Sequence, residues 1–242
     1  MSYRYSSISK TGNGKKRNED SIGIMELEDG VLCIVCDGLS GEFAAERAAK
    51  LCVESIQNYF QTSSERNHLV KIRDSIKIAN RYILELAASK KEWKGMATTT
   101  DVFFLNNNII YWGHIGDSRI YDLKNGKLNQ LTKDHSLVQQ MVDGGFLSIK
   151  DAFKHPNKNV IMKALGEQQK IEIDLSKVIL KPSDRHRFMM CSDGVNAVID
   201  NMEMEEILKI SDLDKCIDVF DEKIQSRGAP DDYSLIILEQ VN

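Results

Sequence analysis

Residues 31–41 read VLCIVCDGLSG, and the reading of this stretch decides the fold. Six apolar residues, 31–36, stop abruptly at Asp37-Gly38. A short unbroken apolar run closed by a turn signal reads as a strand covered on both faces. A long helical pattern then opens at Glu42. A carboxylate at the end of a buried strand is expensive unless something pairs with it, and a cation is the simplest partner. Gly38 would let the backbone come close enough for its carbonyl to reach a ligand. The plainer alternative is a surface turn, since Asp-Gly is a common turn dipeptide. The choice depends on whether other acids end other strands in the same way.

Upstream, Asn18-Glu19-Asp20-Ser21 leads into a strand over 22–27. Antiparallel pairing through the turn at Glu28-Asp29-Gly30 would set Glu19 and Asp20 beside Asp37. Downstream, apolar residues at helical spacing predict helices over 42–61 and about 67–90. A meander of strands follows at 97–105, 109–115 and 120–123, with Asp117 beside Gly116 at a strand end. His135 stands before a short helix over 137–142, either as an acid catalyst or as a loop or cap histidine. Residues 146–166 are irregular and read as a flap. Short strands are expected at 171–173 and 178–180. The strand 187–191 ends at Ser192-Asp193-Gly194, the second Asp-Gly pair in this setting. Helices follow through 197–198, 203–209 and 213–226. Asp231 precedes the closing strand, 233–238, much as Glu19 and Asp20 precede theirs.

The chain has 242 residues, 42% hydrophobic and 28% charged, with three prolines and no linker-like segment. One domain over 1–242 is expected. No apolar run approaches the ~18 residues of a membrane span, and the first twenty residues lack the apolar core of a secretory signal. The expected location is therefore cytoplasmic, with no membrane partner. A formal charge of −4 offers no basic surface for nucleic acid. Five cysteines, mostly within apolar runs, read as buried free thiols. Cys33 and Cys36 have CxxC spacing, but on a strand they point to opposite faces, which argues against zinc or redox chemistry.

Asp37, Asp117, Asp193 and Asp231 thus share one situation, a strand terminus beside Gly or a tight turn. Acids that repel one another are stable together around cations, and oxygen-only ligands suit Mg²⁺ or Mn²⁺. Two such ions form a hydrolytic site for phosphoesters. Lys15, Lys16 and Arg17 are placed to supply a phosphate-binding cation, and spacing alone does not choose among them.

With these residues in view, the chain resembles the metal-dependent serine/threonine phosphatases of the PP2C type. Eight segments carry the resemblance in order. They are KKRNEDS (15–21), VCDGLSG (35–41), ATT (97–99), GDSR (116–119), LTKDHSL (131–137), HPNKNVIMKALG (155–166), CSDG (191–194) and GAPDDYS (228–234). The resemblance implies an α+β fold, a four-layer α-β-β-α sandwich of two antiparallel sheets flanked by helices. It implies hydrolysis of phosphoserine and phosphothreonine in phosphoprotein substrates by metal-activated water, with Mn²⁺ or Mg²⁺, opposing a cognate serine/threonine kinase. Asp37 would bridge two ions, with the Gly38 carbonyl on one. Asp193 and Asp231 would hold the other. Glu19 would act near the metal, and Asp20 would orient metal-bound water. Asp117 with Asp193 would form the third, weaker site of bacterial-type members. Lys15 stands where the family has a phosphate-binding Arg.

Some positions depart from the pattern. Lys15 keeps the charge of Arg but loses its fork, with Arg17 nearby to compensate. Leu39 stands where eukaryotic members carry a His. Ser40 and Glu42 replace Gly and His. Ala197 replaces an acid, which bears on the third ion. Asp232 replaces Asn and adds a charge. Two other readings remain: a partner-switching phosphatase acting on an anti-sigma-factor antagonist, and a weakly active scaffold module.

Overall fold

The computed structural model describes residues 2–39, 42–152 and 154–241. Ser40, Gly41 and the side chain of Glu42 lie outside the described residues. The apolar run of the opening stretch is a central strand. It belongs to a sheet built from β2 (Asp20–Leu27), β3 (Gly30–Leu39), β5 (Thr100–Asn106), β6 (Ile109–Ile115) and β9 (Asp174–Ile179), in that spatial order. The two-residue β4 (Ala97–Thr98) pairs with the end of β3. A second sheet has the order β1 (Ser2–Lys10), β11 (Tyr233–Val241), β10 (His186–Cys191), β7 (Arg119–Lys124) and β8 (Lys127–Gln130). All the pairings are antiparallel.

The period of two along each strand sorts its side chains into separate cores. In β3, Leu32, Ile34 and Cys36 face α1 (Glu42–Thr62) and α2 (His68–Ser89), while Val31, Cys33 and Val35 face the other sheet. Cys33 and Cys36 therefore do lie on opposite faces, and all five cysteines are free and buried. On the second sheet, Met189 and Cys191 of β10 pack outward, and Phe188 and Met190 pack inward. The outward layer there is α6 (Asn201–Leu208) and α7 (Leu213–Ser226). The result is the four-layer α-β-β-α sandwich. Shorter helices, α3 (Leu137–Asp143), α4 (Ile149–Ala152) and α5 (Asp193–Asn196), decorate the ends of the sheets.

Residues 31–36 of β3 have no solvent exposure. Each buried Val, Leu or Ile side chain contributes about 1.5–3 kcal/mol. Asp37 is thereby mounted on a firmly anchored strand. The glycine after it is required by close packing, because a Cβ on Gly38 would sit 2.3 Å from the Ala45 carbonyl oxygen of α1. The small residues Ala45, Ala48 and Ala49 are what let α1 approach so closely. Asn67 caps α2 by accepting from the Leu69 and Val70 amides.

Two strands differ from expectation. The segments 171–173 and 178–180 are not two strands; one strand, β9, lies across the interval between them. Ile171 and Ile173 instead pack against the α1/α2 core ahead of β9. An edge strand with one wet face carries too few apolar residues to announce itself, which also hides β1, SYRYSSISK, paired over its whole length with β11.

Candidate active site and metal centre

The hairpin expectation holds residue by residue: Asp20 stands directly opposite Asp37 in the β2–β3 register. The Gly38 amide also donates to the Glu19 carbonyl, 3.1 Å away. Asp193 begins α5 directly after β10, and Asp231 lies just before β11, the neighbour of β10. Asp117 sits in the bend between β6 and β7. One end of both sheets thus gathers acids that are far apart along the chain.

Their mutual effect is large. Burial pushes the Asp37 carboxyl well above the usual range, and the charges of Asp20, Asp193, Asp117 and Asp231 push it further. Asp117 rises to about 8, through burial and then Asp193. Asp20 rises to about 7 through burial, despite stabilising hydrogen bonds from Ser192 and Ser234. Burial and Asp231 raise Asp193, which shares a hydrogen bond with Asp37. Among the described residues, no three of these side chains close on one ready-made cation position. Asp231 is instead paired with Lys15 Nζ, which also lies 3.2 Å from Asp232 and 3.3 Å from Glu19. Burial opposes the Lys15 charge, but Asp231 and Asp232 hold it protonated well above the ordinary lysine range.

Arg17 is not drawn into this group. Its guanidinium donates to Glu46 at 3.0 Å and lies 3.8 Å over the Phe43 ring, both on α1. Leu39 is half-buried next to the cleft and has no proton to offer. His135 faces elsewhere. Its Nδ1 accepts from the Gly116 amide at 3.1 Å, its Nε2 meets Asp174 at 3.3 Å, and burial and His114 lower its pKa.

Several functional residues carry no signal at the level of spacing. Thr98 Oγ1 donates to the Asp37 carbonyl at 2.9 Å, and Thr99 Oγ1 accepts from the Asp37 amide at 2.9 Å. Thr99 is in turn 2.9 Å from the Ser118 hydroxyl. The ATT and GDSR segments therefore clamp the backbone of Asp37. A ring of hydroxyls fixes Asp20: Ser192 Oγ donates to Asp20 Oδ2 at 2.6 Å, and the Ser234 amide donates to Ser192 Oγ at 3.0 Å. Ser234 Oγ meets Ser9 Oγ at 2.8 Å, Asn18 donates to Ser9, and the Asp20 amide closes the ring on Asn18 Oδ1 at 3.0 Å. Asp232, expected only to add charge, accepts from the Gly12 and Glu19 amides, each at 2.8 Å. Arg119 grips Asp134 with two nitrogens, at 2.8 and 2.6 Å, and braces the turn beyond Asp117.

Two oxygens in the cleft remain unsatisfied. Asp20 Oδ1 and Asp117 Oδ1 are buried and have no hydrogen-bond partner among the described residues. Buried polar atoms are rarely left so.

A family model described as protein phosphatase 2C matches residues 12–229. The chain belongs to the protein phosphatase 2C family. It is accordingly an enzyme, a serine/threonine protein phosphatase. The serine/threonine phosphatase stp of Listeria monocytogenes is 34% identical over 239 residues, covering 96% of this chain and 94% of its own. The crystal structure of the Mycobacterium tuberculosis serine/threonine phosphatase PstP/Ppp superposes with a TM-score of 0.90 at 28% identity, over 99% of both chains. The catalytic domain of PstP in complex with two manganese ions superposes at 0.87 with 27% identity, again over 99% of both. The 2C-type fold thus accounts for both sheets and the acid-lined end they share. No helix among the described residues is long and apolar enough to cross a membrane.

Proposed function

We propose that this cleft hydrolyses phosphoserine and phosphothreonine esters of proteins with two divalent ions, Mn²⁺ or Mg²⁺. The carrying observation is the pair of buried, partnerless oxygens, Asp20 Oδ1 and Asp117 Oδ1, among carboxyls that repel one another. An all-oxygen donor set with spare lone pairs fits a hard cation. Asp37 would be shared by both ions, with the Gly38 carbonyl on one and Asp193 and Asp231 on the other. Glu19 would stand beside them. Asp117 and Asp193 would hold a third, weaker ion, to which Ala197 adds no ligand. When bound, such ions activate water towards phosphorus and neutralise phosphoryl charge.

The chain's own groups do the rest. Asp20, its Oδ2 fixed by Ser192, offers Oδ1 as a hydrogen-bond acceptor to the attacking water. Lys15 Nζ donates to a phosphoryl oxygen once it leaves Asp231. Arg17 provides a second cation at the rim, where Glu46 and Phe43 steady it. Leu39 gives up no proton, so solvent protonates the departing alkoxide. Residues 1–242 work as one phosphatase unit with a flap over 146–166, in the cytoplasm, opposing a serine/threonine kinase. The likeness to serine/threonine phosphatases favours this over the partner-switching reading, and the intact acids favour it over a scaffold.

Phosphate release from a phosphothreonine peptide should rise with added Mn²⁺ and vanish in excess EDTA. Turnover that persists in chelator would overturn the metal mechanism. Ser192→Ala should lower kcat on a phosphothreonine peptide about tenfold at saturating Mn²⁺, since groups that orient the residues around a metal are worth roughly 10–100-fold in affinity or activity. An unchanged kcat would remove Ser192 from this role.

A further inference from the structure

A cavity of about 410 Å³ opens beside the carboxylate cleft and shares two walls with it, Asp117 and Asp193. Its far side is apolar: Val138 and Val142 of α3, and Ile149 and Ala152 of α4. Ile149 is 71% exposed, and Phe146 on the same segment is 82% exposed, so apolar surface continues to the rim. Unpartnered apolar surface at the mouth of a site is a feature of binding sites.

Several polar groups along the cavity floor are already spent. Arg119 is committed to Asp134 and to the Tyr121 hydroxyl. Gln130 donates to Asp134 and to the Thr132 carbonyl. Gln139 is tied to Asp143 at 2.9 Å, and the Ser136 hydroxyl caps α3. Lys158 also lines the cavity, and Asn196 Oδ1 is buried there without a hydrogen-bond partner among the described residues. At the end of the cavity next to Asp193, Ala197 contributes only a methyl group. Opposite these polar groups, the far side offers a ligand shape and apolar contact.

We propose that this cavity receives an apolar side chain of the phosphoprotein substrate, from a residue close in sequence to the phosphorylated one. The inference rests on the phosphatase reading above. The occupant follows from continuity: a polypeptide whose phosphoryl group lies at Asp37 and Asp193 must leave along a neighbouring wall. An extended chain advances about 3.3–3.6 Å per residue, so a cavity sharing walls with the cleft is reached within roughly one to three residues. The cavity lies between the sheet ends and the segment carrying α3 and α4, so variation in that segment would tune which substrates bind.

The test uses phosphothreonine peptides in a Gly/Ser background, each with one leucine at a single position up to three residues either side of the phosphothreonine. One position should lower KM about tenfold relative to the leucine-free peptide, with kcat little changed. Ile149→Asp and Val142→Ser should each erase that preference. Ile149 is exposed, so its replacement leaves the core intact. Both variants should keep the parental kcat/KM on the leucine-free peptide, which does not enter the cavity. No preferred position, or a preference that survives both variants, would overturn the inference. Failure to hydrolyse any of the peptides would bring down the phosphatase reading, and this inference with it.

Discussion

Asp37→Asn is expected to lower kcat on a phosphothreonine peptide by roughly 10³-fold or more, even at saturating Mn²⁺. Asn keeps the shape of Asp37 and its clamp to Thr98 and Thr99, because both of those bonds are to backbone atoms. What it removes is one negative charge from a cluster in which four other aspartates act on that carboxyl. The same change should therefore leave the metal-free fold as stable as before, or more stable, since it relieves repulsion in a crowded, half-buried cluster. Loss of turnover together with an unchanged or raised melting temperature in chelator separates a chemical role from a structural one. Activity within tenfold of the parent would end the case for Asp37 as the shared ligand.

The second large effect is on stability against pH in the absence of metal. In the folded chain Asp20 titrates at about 7 and Asp117 at about 8, and Asp37 lies well above the usual range. In the unfolded chain all three release their protons near 3.9. Between those limits the folded state holds protons that the unfolded state has lost. The stability is therefore present at low pH and disappears as pH rises through about 7 to 8. The lowered histidines, His68 and His135, act in the opposite sense only below about 6.5, so the informative window begins there. From pH 6.5 to 8.5 in EDTA, the melting temperature should fall on the order of 10 °C, as several kcal/mol imply for a chain of this size. Saturating Mn²⁺ should flatten that fall, because bound cations reward the ionised form. A metal-free melting temperature that rises across this window would contradict the crowding of acids at its source.

The acids themselves were legible because burial and charge conflict in the sequence. A strand such as 31–36 has no reason to end in Asp unless the charge is used, and the same conflict recurs at Asp193. The opposition of Asp20 and Asp37 followed from one turn and a period of two. The hydroxyl ring around Asp20 was not legible, because Ser9, Ser192 and Ser234 become neighbours only when β1, β10 and β11 pair. In the sequence Asp232 reads as surplus charge, because no spacing rule shows that the Gly12 and Glu19 amides point at it. Arg17 belonged with Lys15 by position, yet α1 holds its guanidinium away from the acids, a packing outcome that local sequence does not encode. The polar edge strand β1 shows the same limit in the fold: its partner lies at the other end of the chain, with Ser2 opposite Val241 and Lys10 opposite Tyr233.

Lys15 gives the cleft a resident counterion. With its ammonium against Asp231, Asp232 and Glu19, part of the repulsion among the acids is offset by a charge of the chain itself. If Asp231 holds a divalent ion as proposed, loading would be an exchange in which the ion takes the place of a lysine head group. Affinity for the ion would then be a difference between two occupants of one seat.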